Sequence, residues 1–254
     1  KIFIMTNKYM YFIANWKMFG DLKSLNSLNK VIKFTNKYKK KKFKLIYCPP
    51  YTLLDSFSKK IKRSRIELGA QNCHFEISSG PFTGSISPSM LKRIGSNYVI
   101  IGHSENRSIG ESDFQINKKI KSSIKSGLKI IFCIGETLTQ KKNKMTNKIL
   151  RKQILKGLFK IKNLNKILVA YEPVWSIGTG IVPHTFELDT NISFIKNILK
   201  NKLKIKNPKV LYGGSVNSQN VKNLASIKGI DGFLIGGASQ KANNFIDIVK
   251  KTII

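Results

Sequence analysis

Glu172 closes a short apolar run, Ile167–Tyr171, and is followed at once by Pro173-Val174-Trp175 and then by Gly178 and Gly180. Proline fixes one backbone angle and glycine permits turns closed to other residues, so the segment predicts a carboxylate at a strand end beside a hinged flap. A carboxylate so placed is a candidate general base. The plain alternative is a solvated glutamate in an ordinary strand-to-helix loop. Other polar residues also follow apolar runs: Asn15 and Lys17, Gln71 and Asn72, His103 and Glu105, Glu136, Gly213-Gly214-Ser215 and Gly236-Gly237. One strand-end polar residue is weak evidence, but a carboxylate, a histidine and a lysine converging on one rim mark a functional site. Backbone N–H groups at paired glycines are where phosphate is commonly held. Each group has a plainer reading as well: Lys17 as one more surface lysine, His103 as a satisfied core histidine, the glycine pairs as tight turns. His74 and His184 read as structural or surface residues and Cys133 as packing. Glu136 reads as a brace that accepts the indole N–H of Trp175.

Eight apolar runs set these positions: Tyr11–Ala14, Lys44–Tyr47, Ile66–Ala70, Tyr98–Ile101, Lys129–Cys133, Ile167–Tyr171, Val210–Tyr212 and Gly232–Ile235. Most are continuous rather than alternating, as strands covered on both faces are. Helical stripes lie between them. Ile116, Ile120 and Ile124 recur every fourth residue, with Gly127 placed as a C-cap, and Leu188, Ile192, Ile195 and Leu199 form another stripe. Eight strands with intervening helices in 254 residues predict a single-domain α/β fold, the parallel (β/α)8 barrel. Its chemistry sits on the loops at the strands' C-terminal ends. A doubly wound open sheet is the alternative, but no GxGxxG follows the first run.

Composition narrows the class. The formal net charge is +33, from 46 Lys+Arg against 13 Asp+Glu. Such an excess points to a polyanion partner when it is concentrated and rich in arginine. Here the arginines are only Arg63, Arg65, Arg93, Arg107 and Arg151, and the lysines are spread along the chain apart from Lys39–Lys42. The expectation is therefore compositional drift on solvated helix faces, with nucleic acid bound non-specifically at most. No apolar run reaches the ~18 residues of a membrane span. Cys48, Cys73 and Cys133 are far apart and form no CxxC pair, which fits reduced thiols in the cytoplasm rather than disulfides or a metal site.

Taken together, NWKM (Asn15–Met18), GAQNC (Gly69–Cys73), GPFTGSIS (Gly80–Ser87), IGHSENR (Ile101–Arg107), CIGET (Cys133–Thr137), AYEPVWSIGTG (Ala170–Gly180), YGGSV (Tyr212–Val216) and IGGAS (Ile235–Ser239) resemble the triosephosphate isomerase family, in its order and over nearly all of the chain from Met10. The resemblance implies interconversion of dihydroxyacetone phosphate and glyceraldehyde 3-phosphate. It casts Glu172 as the base and His103 as a neutral electrophile, a division of roles for which this family is itself a standard illustration. It also implies that Lys17 and Asn15 stabilise the enediolate, that Glu105 orients Lys17, and that backbone N–H groups of Gly178, Ser215, Gly236 and Gly237 hold the phosphate. The flap Pro173–Gly180 closes over the site, no metal or organic cofactor takes part, and a homodimer forms through the loop around Thr83.

Some positions depart from the family's habit. Phe19 replaces an asparagine, Ile181-Val182-Pro183 forms the flap's far hinge, where proline is expected to stiffen closure, and Ser85 and Asn106 replace a Glu/Arg interface pair. Residues 1–9 precede the usual start and are expected to be an N-terminal extension or leader, with the barrel spanning 10–254. Two other classes stay open at this point: a Schiff-base aldolase on the same barrel with Lys17 as nucleophile, and a barrel retained as a basic nucleic-acid-binding protein.

Overall fold

The computed structural model describes residues 8–254. The strands are β1 (Met10–Asn15), β2 (Phe43–Cys48), β3 (Ile66–Ala70), β4 (Tyr98–Ile101), β5 (Lys129–Ile134), β6 (Ile167–Tyr171), β7 (Lys209–Tyr212) and β8 (Gly232–Ile235). Each pairs in parallel with the next, and β8 returns to β1, so the sheet is a closed (β/α)8 barrel. The expected runs fall on these strands, four of them one residue short at one or both ends. Helices lie between them: α1 (Leu28–Lys37), α2 (Leu54–Ile61), α3 (Pro88–Arg93), α4 (Ser104–Ser108), α5 (Asp113–Lys125), α6 (Leu138–Lys142), α7 (Thr146–Gly157), α8 (Thr185–Asn197), α9 (Val221–Ala225) and α10 (Ala242–Ile253).

Two buried layers explain why the strands are apolar throughout. Successive side chains on a strand point to opposite faces. Ile13, Ile46, Ile100, Ile131, Cys133, Leu168, Ala170, Leu211 and Leu234 fill the barrel's interior. Their neighbours Phe12, Ala14, Val99, Ile101, Ile130, Phe132, Val169 and Val210 pack outward under the helices. The helical stripes meet that outer layer: Ile116, Ile120 and Ile124 of α5, and Leu188, Ile192 and Ile195 of α8, are buried there. Leu199 joins them from a π-helical turn, Ile198–Lys202, that ends α8's run. Gly127 takes a φ of 85° just past α5, as a C-cap glycine should.

Of the expected extension, residues 1–7 lie outside the described residues. Lys8 reaches the opposite end of the barrel from the strand-end residues. Its Nζ donates to the carbonyls of Lys228 and Ile230 and pairs with Asp231 at 3.3 Å. The buried Asp231 carboxylate also takes Lys196 at 2.7 Å, Lys209 at 3.5 Å and the Val210 N–H at 2.9 Å. Among the described residues no helix is long and apolar enough to cross a membrane. The three cysteines are free and buried.

Candidate active site

The barrel's own alternation builds the site. The interior series on β6 runs Leu168, Ala170 and then, one step past the strand, Glu172. On β1 the interior residue Ile13 is followed at the same period by Asn15 and Lys17, and on β7 and β8 Leu211 and Leu234 lead to Gly213 and Gly236. A period of two therefore carries each of these positions over the barrel mouth. There they surround a cavity of ≈ 270 Å³ lined by Asn15, Lys17, His103, Glu172, Gly178, Ser215, Gly236 and Gly237 among others. Glu105 is not part of that lining and reaches the site through Lys17. Two wider depressions, ≈ 530 Å³ beside the start of β3 and ≈ 950 Å³ between α5 and α7, include none of Asn15, Lys17, His103 and Glu172.

Glu172 is 2% exposed. Room for it comes from glycines on both neighbouring strands' ends. A Cβ on Gly213 would stand 2.7 Å from its Cγ, and one on Gly135 would stand 1.8 Å from its carbonyl oxygen. One carboxylate oxygen lies 3.3 Å from His103 Nε2, and the other accepts the Ser104 N–H at 3.4 Å. Burial raises its pKa, while His103, the Ser104 N–H, the Cys133 thiol and Lys17 pull the other way. Cys133, expected as packing, is fully buried, yet it also touches this carboxylate, and burial followed by the Glu172 charge holds its thiol well above the usual range.

His103 caps the N-terminus of α4. Its Nδ1 accepts the Glu105 N–H at 3.2 Å, which requires that nitrogen to be unprotonated. A neutral ring then carries its proton on Nε2, the nitrogen that faces Glu172. Glu105 Oε2 also lies 3.6 Å from Nδ1, beyond hydrogen-bond range, so the backbone bond sets the tautomer.

Lys17 is a non-glycine residue in the left-handed region, with a φ of 55°. Asn15 Oδ1 accepts its N–H at 3.1 Å, and Gln71 donates to its carbonyl at 2.8 Å. Strained backbone of this kind, held by side chains at the end of its own strand and just past β3, is a mark of functional positions. Its ammonium lies 2.6 Å from Glu105 Oε1. Glu136 is buried and accepts the Trp175 indole N–H at 2.9 Å and the Tyr171 hydroxyl at 3.2 Å, the bracing position expected of it. Burial raises its pKa. His184 is exposed and caps α8, and the ring of His74 stacks on Phe75.

The glycines divide by purpose. At Gly178 and Gly237 an added Cβ would meet nothing within 4 Å, so the space they leave belongs to the cavity. Gly178 and Gly180 have φ of 71° and 78°, which gives the flap its turn. Sequence reasoning missed the Ser104 N–H, the space at Gly135 and the buried hydroxyl of Ser176. Gly135 follows Ile131 and Cys133 at the interior period, a signal that was readable. Among the described residues no group of three or more His, Cys, Asp or Glu is placed to hold a metal ion.

The sequence pattern of the triosephosphate isomerase family matches residues 10–252. The triosephosphate isomerase of Thermodesulfovibrio yellowstonii is 41% identical over 244 residues, which is 94% of this chain and 98% of that protein. That of Dictyostelium discoideum is 39% identical over 255 residues, 98% of each. The crystal structure of triosephosphate isomerase from Bartonella henselae superposes with a TM-score of 0.88 at 34% identity, covering 95% of this chain and 98% of that one. The chain belongs to the triosephosphate isomerase family, and its reaction is the interconversion of dihydroxyacetone phosphate and D-glyceraldehyde 3-phosphate, a step of glycolysis.

Proposed function

We propose the following division of labour for that reaction, carried by one observation: the Glu172 carboxylate and the protonated nitrogen of His103, 3.3 Å apart, face Lys17 across a glycine-lined cavity. Glu172 takes the proton from the carbon beside the carbonyl. Burial makes it a stronger base than a solvated carboxylate. His103 donates from Nε2 to the carbonyl oxygen and moves protons between the two oxygens of the enediol. Lys17 and Asn15 supply charge and a dipole where the enediolate forms, and Glu105 fixes the Lys17 ammonium. An ammonium in an ion pair is not a nucleophile, which counts against the Schiff-base reading.

The N–H groups of Gly178, Ser215, Gly236 and Gly237 hold the phosphate, as backbone donors in glycine-rich turns do. The flap Pro173–Gly180 shuts over it and excludes water, protecting the intermediate from loss of phosphate. The cycle draws on no metal or organic cofactor. A coupled isomerase assay with inorganic phosphate as competitor tests the arrangement. Competitive inhibition in the millimolar range is expected, and no competition at constant ionic strength would remove the glycine assignment.

We take the catalytic barrel to span 10–254, preceded by an extension at 1–9, and to work in the cytoplasm as a homodimer. The loop Gly80–Ser87 is mostly exposed, and near the rim Met18 is 93% exposed and Phe19 57%. Thr83 would reach from that loop toward the partner's Asn15 and Glu105. Without a Glu/Arg pair at Ser85 and Asn106, and with +33 on each subunit, the dimer should be weaker than its relatives' and should tighten as salt screens the repulsion. Sedimentation across concentration and salt checks this; a fully active monomer would contradict the role given to Thr83.

A further inference from the structure

Ser176 is fully buried at the root of the flap, and its hydroxyl uses all of its bonding capacity. A hydroxyl has one proton to give and two lone pairs to accept with. The proton goes to the carbonyl of Ile181, at the flap's far hinge, over 2.6 Å. The Tyr212 hydroxyl at 2.9 Å therefore acts as a donor to Ser176 Oγ, and the Ser215 N–H donates to the same oxygen over 3.4 Å. Gly214 makes the junction possible, because a Cβ there would stand 2.3 Å from the Tyr212 oxygen and 2.6 Å from Ser176 Oγ. Both ends of the flap, the end of β7 and the loop after it thus meet at one oxygen atom.

Two of these bonds are short and one is long. The long one belongs to the Ser215 N–H, a donor assigned above to the substrate's phosphate. A phosphate oxygen is a charged acceptor and outcompetes a hydroxyl at 3.4 Å for that N–H. The two short bonds hold the flap's ends and Tyr212 in fixed relation whether or not the third persists.

We infer that Ser176 is a positioning residue that joins the flap to the phosphate site: its hydroxyl fixes the two hinges against Tyr212 and gives up the Ser215 N–H when phosphate arrives. The inference rests on the phosphate reading above and deepens it. Ser176→Ala removes the junction but leaves every phosphate donor in place. It is expected to lower kcat by fivefold or more while the inhibition constant for inorganic phosphate stays the same or falls, since the Ser215 N–H loses its competitor. A merely structural role would weaken phosphate and turnover together.

Gly214→Ala, whose Cβ would press on both the Tyr212 and Ser176 oxygens and drive them apart while leaving both side chains in the sequence, should give the same loss in kcat. It serves as the second test if Ser176→Ala folds poorly by circular dichroism. Combining Ser176→Ala with Tyr212→Phe should cost no more than the larger single loss, because both break one junction. A kcat within twofold of the wild type in Ser176→Ala, or losses that multiply in the double variant, would overturn the inference while leaving the phosphate reading intact. Absence of phosphate competition in the wild-type enzyme would remove both.

Discussion

Glu172 is buried to 2% exposure in a barrel mouth that offers it one N–H at 3.4 Å, one imidazole and the Cys133 thiol. Those contacts do not replace the water a free carboxylate would have, so its pKa rises and its charge weighs on the folded state. The sign follows from linkage. A raised folded-state pKa means that the native protein holds this proton more firmly than the unfolded chain. The resulting stability is present below the unfolded pKa, near 4.5, and is lost as pH climbs through the folded value. Two results are expected. The acid limb of kcat/KM lies above the usual carboxylate range, and Glu172→Gln loses on the order of 10² to 10⁴ in kcat while melting at the same or a higher temperature at pH 7. Kinetics and thermal melts on the one variant measure both; a kcat above half the wild type, or a clearly lower melting temperature, contradicts the account. Residue identity and strand-end position made Glu172, His103 and Lys17 readable before any fold was known. The glycines around Glu172, the tautomer of His103 and the Ser176 junction were not, since each depends on which segments meet in space.

Helix ends show the lysine-rich composition at its most costly. Lys144, Lys160 and Lys204 all have φ between 53° and 58°, the left-handed region where glycine or asparagine is the usual occupant. Lys144 follows α6, and Met145 N–H returns to the Gln140 carbonyl at 2.9 Å; Lys204 follows the π turn, and Ile205 N–H returns to the Leu199 carbonyl at 3.0 Å. Both are cap motifs that close orphan carbonyls. The lysine charge suits a helix C-terminus, but its Cβ does not suit the backbone. All three residues are exposed, so replacing each with glycine relieves strain at the expense, for Lys160 alone, of an ammonium 5.3 Å from the Phe159 ring, and against the entropy glycine adds to the unfolded chain. Each replacement should add about 0.5–1 kcal/mol, and the triple variant should gain several degrees in melting temperature. A lower melting temperature would show that the lysine charges beside the helix C-termini outweigh the strain. Lys17 shares the conformation but not the remedy, because Asn15, Gln71 and Glu105 hold it at the rim of the cavity, where we propose it acts. At this scale the strands were legible because two-sided burial leaves continuous apolar runs. Some ends were read short: Asn15 and Lys209 are polar residues that still belong to the ladder, whereas Met10, Phe43 and Ile134 are apolar ends that the runs left out. The π turn after α8 left no trace in the spacing of Leu188, Ile192, Ile195 and Leu199.

Charge belongs to the molecule as a whole. Lysines 30, 33 and 37 on α1, 59 and 60 on α2, and 148, 152 and 156 on α7 are exposed on the outer helices, around a core of ordinary barrel packing. Their dispersal matches solvated faces rather than one binding stripe, yet their summed field surrounds the barrel mouth as well. A dianionic triose phosphate approaching that field is drawn in from farther than contact range. Salt screens such attraction beyond roughly 10 Å at 0.1 M, and it leaves almost untouched the contacts proposed for Lys17 and the glycine N–H groups with a substrate already bound. Raising ionic strength from about 0.01 to 0.2 M should therefore lower kcat/KM several-fold, on the scale of steered encounter, while kcat holds nearly constant. The neutral salt must be one whose anion does not occupy the phosphate site, so that screening is separated from competition. Parallel loss of kcat and kcat/KM would place the salt effect on the chemistry rather than the approach. Nucleic acid, which feels the same field, should bind loosely with a steep salt dependence and no sequence preference, as counterion release alone produces. A tight, sequence-selective complex at physiological salt would mean that the dispersed lysines form a recognition surface after all.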